Sequence, residues 1–271
     1  MTTEFGSYRN DCGEPLRLTV VKPPNWHSSD RRTAIVWIHG GAWKHGALEL
    51  VLPNCRYGAR QGMVSFGVQY RLIGAAADGR ERATLEDCIA DCRAALRHIG
   101  EFAERYGVHP ERIVVAGDSA GGYLAACLGL QYEEAGVRPA AIINCNGISD
   151  LTRKWKHALI EDEGAYPTEQ QWFGLHERAK RLSPIHHVTG GRPPMLLIHG
   201  LEDRVVEPED SVALYEAMLK AGNEAQLLLL PNKKHAFILY DYLYALDEVD
   251  ETMRLIDSYL QSLALLGGEV E

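Results

Sequence analysis

Along the chain, apolar runs of strand length alternate with stretches whose apolar residues recur every three or four positions. Residues 33–38 form a continuous β-branched and aromatic run with no polar face, the pattern of a strand buried on both sides of a parallel sheet. Residues 63–70, 140–145, 195–198 and 226–230 read the same way, the last stopped by Pro231. Residues 16–21 alternate and are closed by Pro23-Pro24, which predicts an edge strand. Between the runs, Leu85, Cys88, Ile89, Cys92, Leu96, Ile99, Phe102 and Tyr106 keep helical spacing behind Thr84, with Asp87 placed to complete a cap. Pro208 and Gly222 bracket a second helix. Leu246, Val249, Met253, Ile256, Leu260 and Leu263 predict a closing helix. Its steps fit a face docked on a sheet, and also a coiled-coil seam through which a homodimer could form.

Strands alternating with helices predict one α/β domain over residues 1–271, built on a mainly parallel, doubly wound sheet flanked by helices. Residues 150–192 break the alternation with charged helical pieces, Trp155, Trp172, Phe173 and Gly190-Gly191. That is too long for a plain connection and is read as a small lid insertion over the site. Residues 267–271 are expected to fray.

Composition narrows the classes. An apolar fraction of 46% over 271 residues supplies a full core. A net charge of −9 argues against nucleic acid or an anionic membrane as partner. Residues 1–10 are polar and no run approaches the length of a membrane span, so neither a secretory signal nor an anchor is expected. The six cysteines are scattered. Cys88 and Cys92 share a helix face, which suits core contacts and a reduced, cytoplasmic protein.

Candidate chemistry collects at one edge. The apolar run 113–116 leads straight into Gly117-Asp118-Ser119-Ala120-Gly121 and then a small-residue helical pattern. That strand–turn–helix context lifts a serine above the sheet and aims helical N–H groups at its hydroxyl. Open α/β sheets bind ligands at the carboxyl ends of their strands. The other strand ends carry His39-Gly40-Gly41-Ala42-Trp43, His199-Gly200-Leu201-Glu202-Asp203 and Lys233-Lys234-His235. A nucleophile, a carboxylate and a histidine therefore follow in the order Ser, Asp, His, with a glycine loop whose amides could bind an oxyanion. Glu202 and Asp150 compete with Asp203 as the acid. Trp43 is either a substrate-pocket wall or a packing residue, and Asp118 is expected to bond locally in its turn. Lys233 and Lys234 form a solvated basic turn or attract an acidic substrate. His186 and His187 have no companion cluster, so no metal is expected.

These motifs, spread over residues 33–263, resemble the α/β-hydrolase fold, and within it the hormone-sensitive-lipase-like esterases marked by H-G-G-x-W and G-D-S-A-G-G. The resemblance implies Ser119 as nucleophile, Asp203 as acid and His235 as base. It implies Gly41, Ala42 and Ala120 as oxyanion donors, with Ala42 standing where many members have a third glycine. It implies no cofactor, and a small-molecule ester as substrate. Only 38 residues precede His39, so the chain is most similar to the short, open feruloyl- and acetyl-esterase-like members, and a preference for short acyl chains is expected. A related branch contains kynurenine formamidases, which makes amide hydrolysis the alternative. A receptor-like loss of catalysis is disfavoured, because every triad residue is present.

Overall fold

The computed structural model describes residues 1–74, 83–155, 169–240 and 242–266. Among the described residues eight strands form a single sheet: β1 (Thr2–Arg9), β2 (Pro15–Lys22), β3 (Arg32–Ile38), β4 (Val64–Val68), β5 (Val108–Asp118), β6 (Ala141–Cys145), β7 (Met195–Gly200) and β8 (Ala225–Leu230). Their spatial order is β1-β2-β4-β3-β5-β6-β7-β8. The first two strands pair antiparallel, as do β2 and β4, and every later pairing is parallel.

The continuous apolar runs fall on the central strands, and their period of two feeds two cores. On β3, Ala34, Val36 and Ile38 face one cluster while Ile35 and Trp37 face the other. The same split holds on β5 for Ile113 and Val115 against Val114 and Ala116. On the first side pack α2 (Leu85–Glu101), α3 (Ala120–Leu130) and α6 (Pro208–Lys220). On the second lie α1 (Leu52–Arg60) and α7 (Leu246–Ser262). This is the doubly wound α/β architecture. The other α-helices among the described residues are the one-turn α4 (Tyr132–Ala135) and α5 (Glu169–Leu182).

Local chemistry sets the boundaries. Thr84 and Asp87 form a reciprocal capping box at the start of α2, worth about 1 kcal/mol. Gly222 just beyond α6 takes a left-handed conformation, φ 77°. Helix α7 lays Val249, Met253, Ile256 and Leu260 into the second core, each contributing about 2 kcal/mol of burial. Its seam is thus consumed by the sheet and cannot also serve a coiled-coil dimer; only Leu246, at its first position, stands exposed. Cys88 and Cys92 are buried core contacts.

Two expectations change. The strand read as an edge, β2, is covered by β1, which sequence patterning did not reveal. In β1 only Tyr8 is buried, so its place depends on the backbone ladder to β2 and leaves no alternation to detect. Helix α1 also went unread, because it joins a short apolar face to Pro53 and Gly58.

Of the insertion at 150–192, residues 156–168 lie outside the described residues, as do 267–271. The described remainder is tied to the core. Ala179 and Leu182 of α5 are buried, Arg178 pairs with Glu86 of α2 at 2.7 Å, and Tyr123 Oη donates to the Leu182 carbonyl at 2.8 Å. Among the described residues no helix is long and apolar enough to cross a membrane.

Candidate active site

Between β5 and α3 the chain reverses through one residue, Ser119, at φ 55° and ψ −119°. A non-glycine residue in this region costs about 1–3 kcal/mol and persists only where its surroundings dictate it. Here they do. Ser119 N–H donates to the Cys145 carbonyl at 2.9 Å, and its carbonyl accepts from Tyr123 N–H at 3.0 Å. The flanking glycines are steric necessities: a Cβ on Gly117 would sit 2.2 Å from the Gly121 carbonyl oxygen, and one on Gly121 would sit 2.0 Å from that of Ile38.

The strained turn aims the hydroxyl at His235. Ser119 Oγ lies 2.8 Å from His235 Nε2, and His235 Nδ1 lies 2.6 Å from Asp203 Oδ2. With the proton on Nδ1, that nitrogen donates to the carboxylate and Nε2 is free to accept from the serine. Asp203 is anchored through its other oxygen, which accepts from Val205 N–H at 2.8 Å and Val206 N–H at 3.0 Å. Behind it stands fully buried His199, whose Nε2 is 2.9 Å from the Val206 carbonyl and 3.4 Å from Asp203 Oδ2. Burial opposes ionisation of Asp203, but hydrogen bonds from His199 and His235 outweigh it and hold the carboxyl well below the usual range. The group facing the base is a carboxylate at any working pH.

The competing carboxylates are elsewhere. Glu202 is exposed. Asp150 Oδ1 accepts from Thr152 N–H at 2.8 Å and its hydroxyl at 2.6 Å, which closes a local turn. Lys233 is occupied by Glu248 at 2.9 Å and lies over the Tyr244 ring. His187 Nε2 is 2.6 Å from the Arg181 carbonyl, as suits a structural histidine.

The glycine loop presses on the serine turn. A Cβ on Gly40 would meet the Asp118 carbonyl oxygen at 2.8 Å and Ser119 Cβ at 3.1 Å. Gly41, Ala42 and Trp43 then take φ of 116°, 52° and 60°, a run of positive values that curls the amides together. The loop rests on His39, which is buried, stacked on Tyr70 with 4.4 Å between ring centroids, and kept neutral by that burial. Among the described residues, the N–H groups of Gly41, Ala42 and Ala120 donate to no acceptor. Backbone N–H groups left without an acceptor are the kind of donor that an anion can receive.

Trp43 does not line the site. Its side chain is fully buried and stands edge-on to Tyr123 at 5.1 Å, so packing replaces the pocket-wall reading. Trp43→Ala is expected to lower stability by about 3–5 kcal/mol, measured by thermal unfolding. A variant of native stability with a raised KM would restore the pocket role.

Flanking His235 is an open depression of about 710 Å³, lined by Leu201, Val205, Tyr242 and Leu243 with Arg204 and Lys234 at its polar side. Leu201, Val205, Tyr242 and Leu243 are each about half exposed or more, while Ala236 at its base is buried. Of this lining, sequence reasoning weighed Lys234 and passed over Val205, Tyr242 and Leu243; it also passed over His199 as a support for Asp203 and over Asn146. Asn146 had a signal, since it directly follows the strand predicted at 140–145.

Comparison with known proteins agrees with this geometry. The BD-FAE family model matches residues 18–218. Esterase LipU of Mycobacterium tuberculosis is 28% identical over 94% of this chain and 85% of its own length. The acetyl-hydrolase of Streptomyces hygroscopicus is 28% identical over 78% of this chain and 70% of its own. Among solved structures, the thermophilic esterase Est2 of Thermogutta terrifontis superposes with a TM-score of 0.81 at 32% identity, covering 99% of this chain and 95% of that one. The same esterase phosphorylated by paraoxon gives 0.81 at 30%, covering 98% and 96%. The chain therefore belongs to the BD-FAE family, within the hormone-sensitive-lipase-like α/β-hydrolases, and is a serine carboxylic ester hydrolase.

Proposed function

We infer that Ser119 is the nucleophile, that His235 is the base and then the acid, and that Asp203 orients His235 and stabilises its charged form. The unbroken relay of 2.8 and 2.6 Å from Ser119 through His235 to Asp203 carries this reading. The hydroxyl attacks the ester carbonyl carbon while its proton passes to His235 Nε2. The carbonyl oxygen becomes an oxyanion received by the amides of Gly41, Ala42 and Ala120, each worth about 3–4 kcal/mol of barrier. Collapse breaks the bond to the alcohol, which leaves with the proton from Nε2. Water, deprotonated by the same nitrogen, then attacks the acyl-serine; the bond from the acyl carbon to Ser119 Oγ breaks, Oγ takes back the proton from Nε2, and the acid departs.

The substrates on this reading are small-molecule esters with short acyl chains. The Thermogutta terrifontis esterase has been solved with propionate and with butyrate bound, and the same acyl size is assigned to this chain. The insertion at 150–192 acts as a cap within one domain, with its α5 end fastened to α2 and α3. A cytoplasmic location suits six unpaired cysteines, five of them buried. Self-association would need a face other than the seam of α7.

The test is a series of p-nitrophenyl esters from acetate to decanoate. kcat/KM is expected to reach its maximum by two to four acyl carbons and to gain nothing from there to ten, since each further methylene left in water forgoes the about 0.8 kcal/mol that a pocket would contribute. A steady rise to the longest chain overturns the acyl assignment.

A further inference from the structure

Two carboxyl groups lie around the base, and the mechanism above uses one. The other is Asp118, the last residue of β5, buried to 2% exposure. Its Oδ1 accepts from Asn146 Nδ2 at 3.1 Å, and the same amide nitrogen lies 3.5 Å from His235 Nδ1. Because the proton on Nδ1 is committed to Asp203, that second approach is a polar contact and not a second hydrogen bond. Asn146 is thus one side chain wedged between a buried carboxyl and the base.

The wedge is held by the elements that hold the nucleophile. Asn146 has a left-handed backbone, φ 41°, and its N–H donates to the Ile198 carbonyl at 2.8 Å. Asp118 stands opposite Cys145 in the β5–β6 ladder, and the Cys145 carbonyl also receives Ser119 N–H. On its far side Asp118 meets the glycine loop, where a Cβ on Gly40 would be 3.0 Å from Oδ2. A carboxyl group that served only to fill space would be an expensive choice in so dry a position.

We propose that Asp118 is a positioning residue for the base: its carboxylate holds Asn146 against the Nδ1 flank of His235, and its charge stabilises through space the imidazolium formed when Ser119 attacks. This rests on the nucleophile and base assignments made above.

The electrostatics give the proposal a signature. Burial pushes Asp118 up to about 6; the His235 charge and the Asn146 hydrogen bond work against that rise, Asp203 adds to it and His199 subtracts. The remaining neighbours, Tyr70 and Cys145, are kept neutral by burial. Above that range the carboxylate is charged and favours the imidazolium. As pH falls through it the carboxyl protonates and its help disappears. Turnover needs both a charged Asp118 and a Nε2 without a proton, and the two groups are coupled. Wild-type kcat/KM is therefore expected to fall on its acid side more steeply than one proton allows.

Asp118→Asn keeps the shape and removes the charge. At pH 8 its kcat is expected to fall about tenfold, with KM changed by less than about twofold, since the help is given in the transition state. Its acid limb should become a one-proton limb with a lower midpoint. A merely structural Asp118 would lower Tm and leave both slope and midpoint alone, and that result overturns the proposal. Should this variant fail to fold, Asn146→Gly reads the same coupling, because glycine accepts the left-handed backbone without cost. Loss of the wedge admits water and is expected to return the limb to one proton; an undiminished slope there counts against the proposal. A one-proton limb in the wild type does so as well. Failure of the nucleophile assignment is distinguishable, because it would appear as activity retained in Ser119→Ala.

Discussion

Ser119→Ala is expected to reduce kcat/KM toward p-nitrophenyl acetate by about 10⁴- to 10⁶-fold, close to what oxyanion binding alone sustains. The loss follows from chemistry and not from folding. The backbone of the turn is fixed by the Cys145 and Tyr123 hydrogen bonds and by two glycines that admit no Cβ, none of which involves the hydroxyl. Alanine must adopt the same positive φ as serine, so the strain is unchanged. Thermal unfolding should accordingly move by no more than a few degrees. Activity within about tenfold of wild type would remove Ser119 from the mechanism.

Asp203→Asn is expected to cost about 10⁴-fold in kcat, although it changes one atom. The two amides of Val205 and Val206 both donate to Oδ1, so an asparagine must keep its carbonyl oxygen there. Its NH₂ then faces His235 Nδ1. That nitrogen becomes the acceptor, the ring proton moves to Nε2, and Nε2 can no longer take the proton of Ser119. His199, already turned toward the same position at 3.4 Å, adds a second donor facing the new amide and reinforces the loss. Steady-state kinetics of the purified variant decide it. A kcat within a factor of about ten of wild type would mean that Asp203 only packs beside the base.

The parts of this fold that were legible in sequence are those where burial leaves a periodic mark. The central strands announced themselves because both faces are covered, so that every position from Ala34 to Ile38 is apolar. Helices α2 and α7 did so through one buried stripe each. Strand β1 stayed invisible because its role is to extend a hydrogen-bond ladder, which any sequence without proline can do.

The site divides along the same line. Ser119, Asp203 and His235, which lie 2.8 and 2.6 Å apart in sequence of contact, were legible as neighbours because each follows a strand at one sheet edge, and the glycines because their spacing is demanded by close backbone approach. What sequence could not supply is the third dimension around those residues. Asn146 lies between Asp118 and His235 because β6 neighbours β5, and His199 supports Asp203 through a turn that closes four residues later. Trp43, which sequence left open between pocket wall and packing, shows the converse. An aromatic beside a glycine loop suggests a pocket wall, but the positive φ of the preceding residues swings it into the core against Tyr123.

The most direct measurement of the central claim is the site of covalent capture. The protein would be inactivated with paraoxon and digested, and the modified peptide sequenced by mass spectrometry. The account predicts one diethyl phosphoryl group per chain, on Ser119, gained in step with the loss of esterase activity and absent from Ser119→Ala. Stoichiometric inactivation with the adduct on any other residue would contradict it.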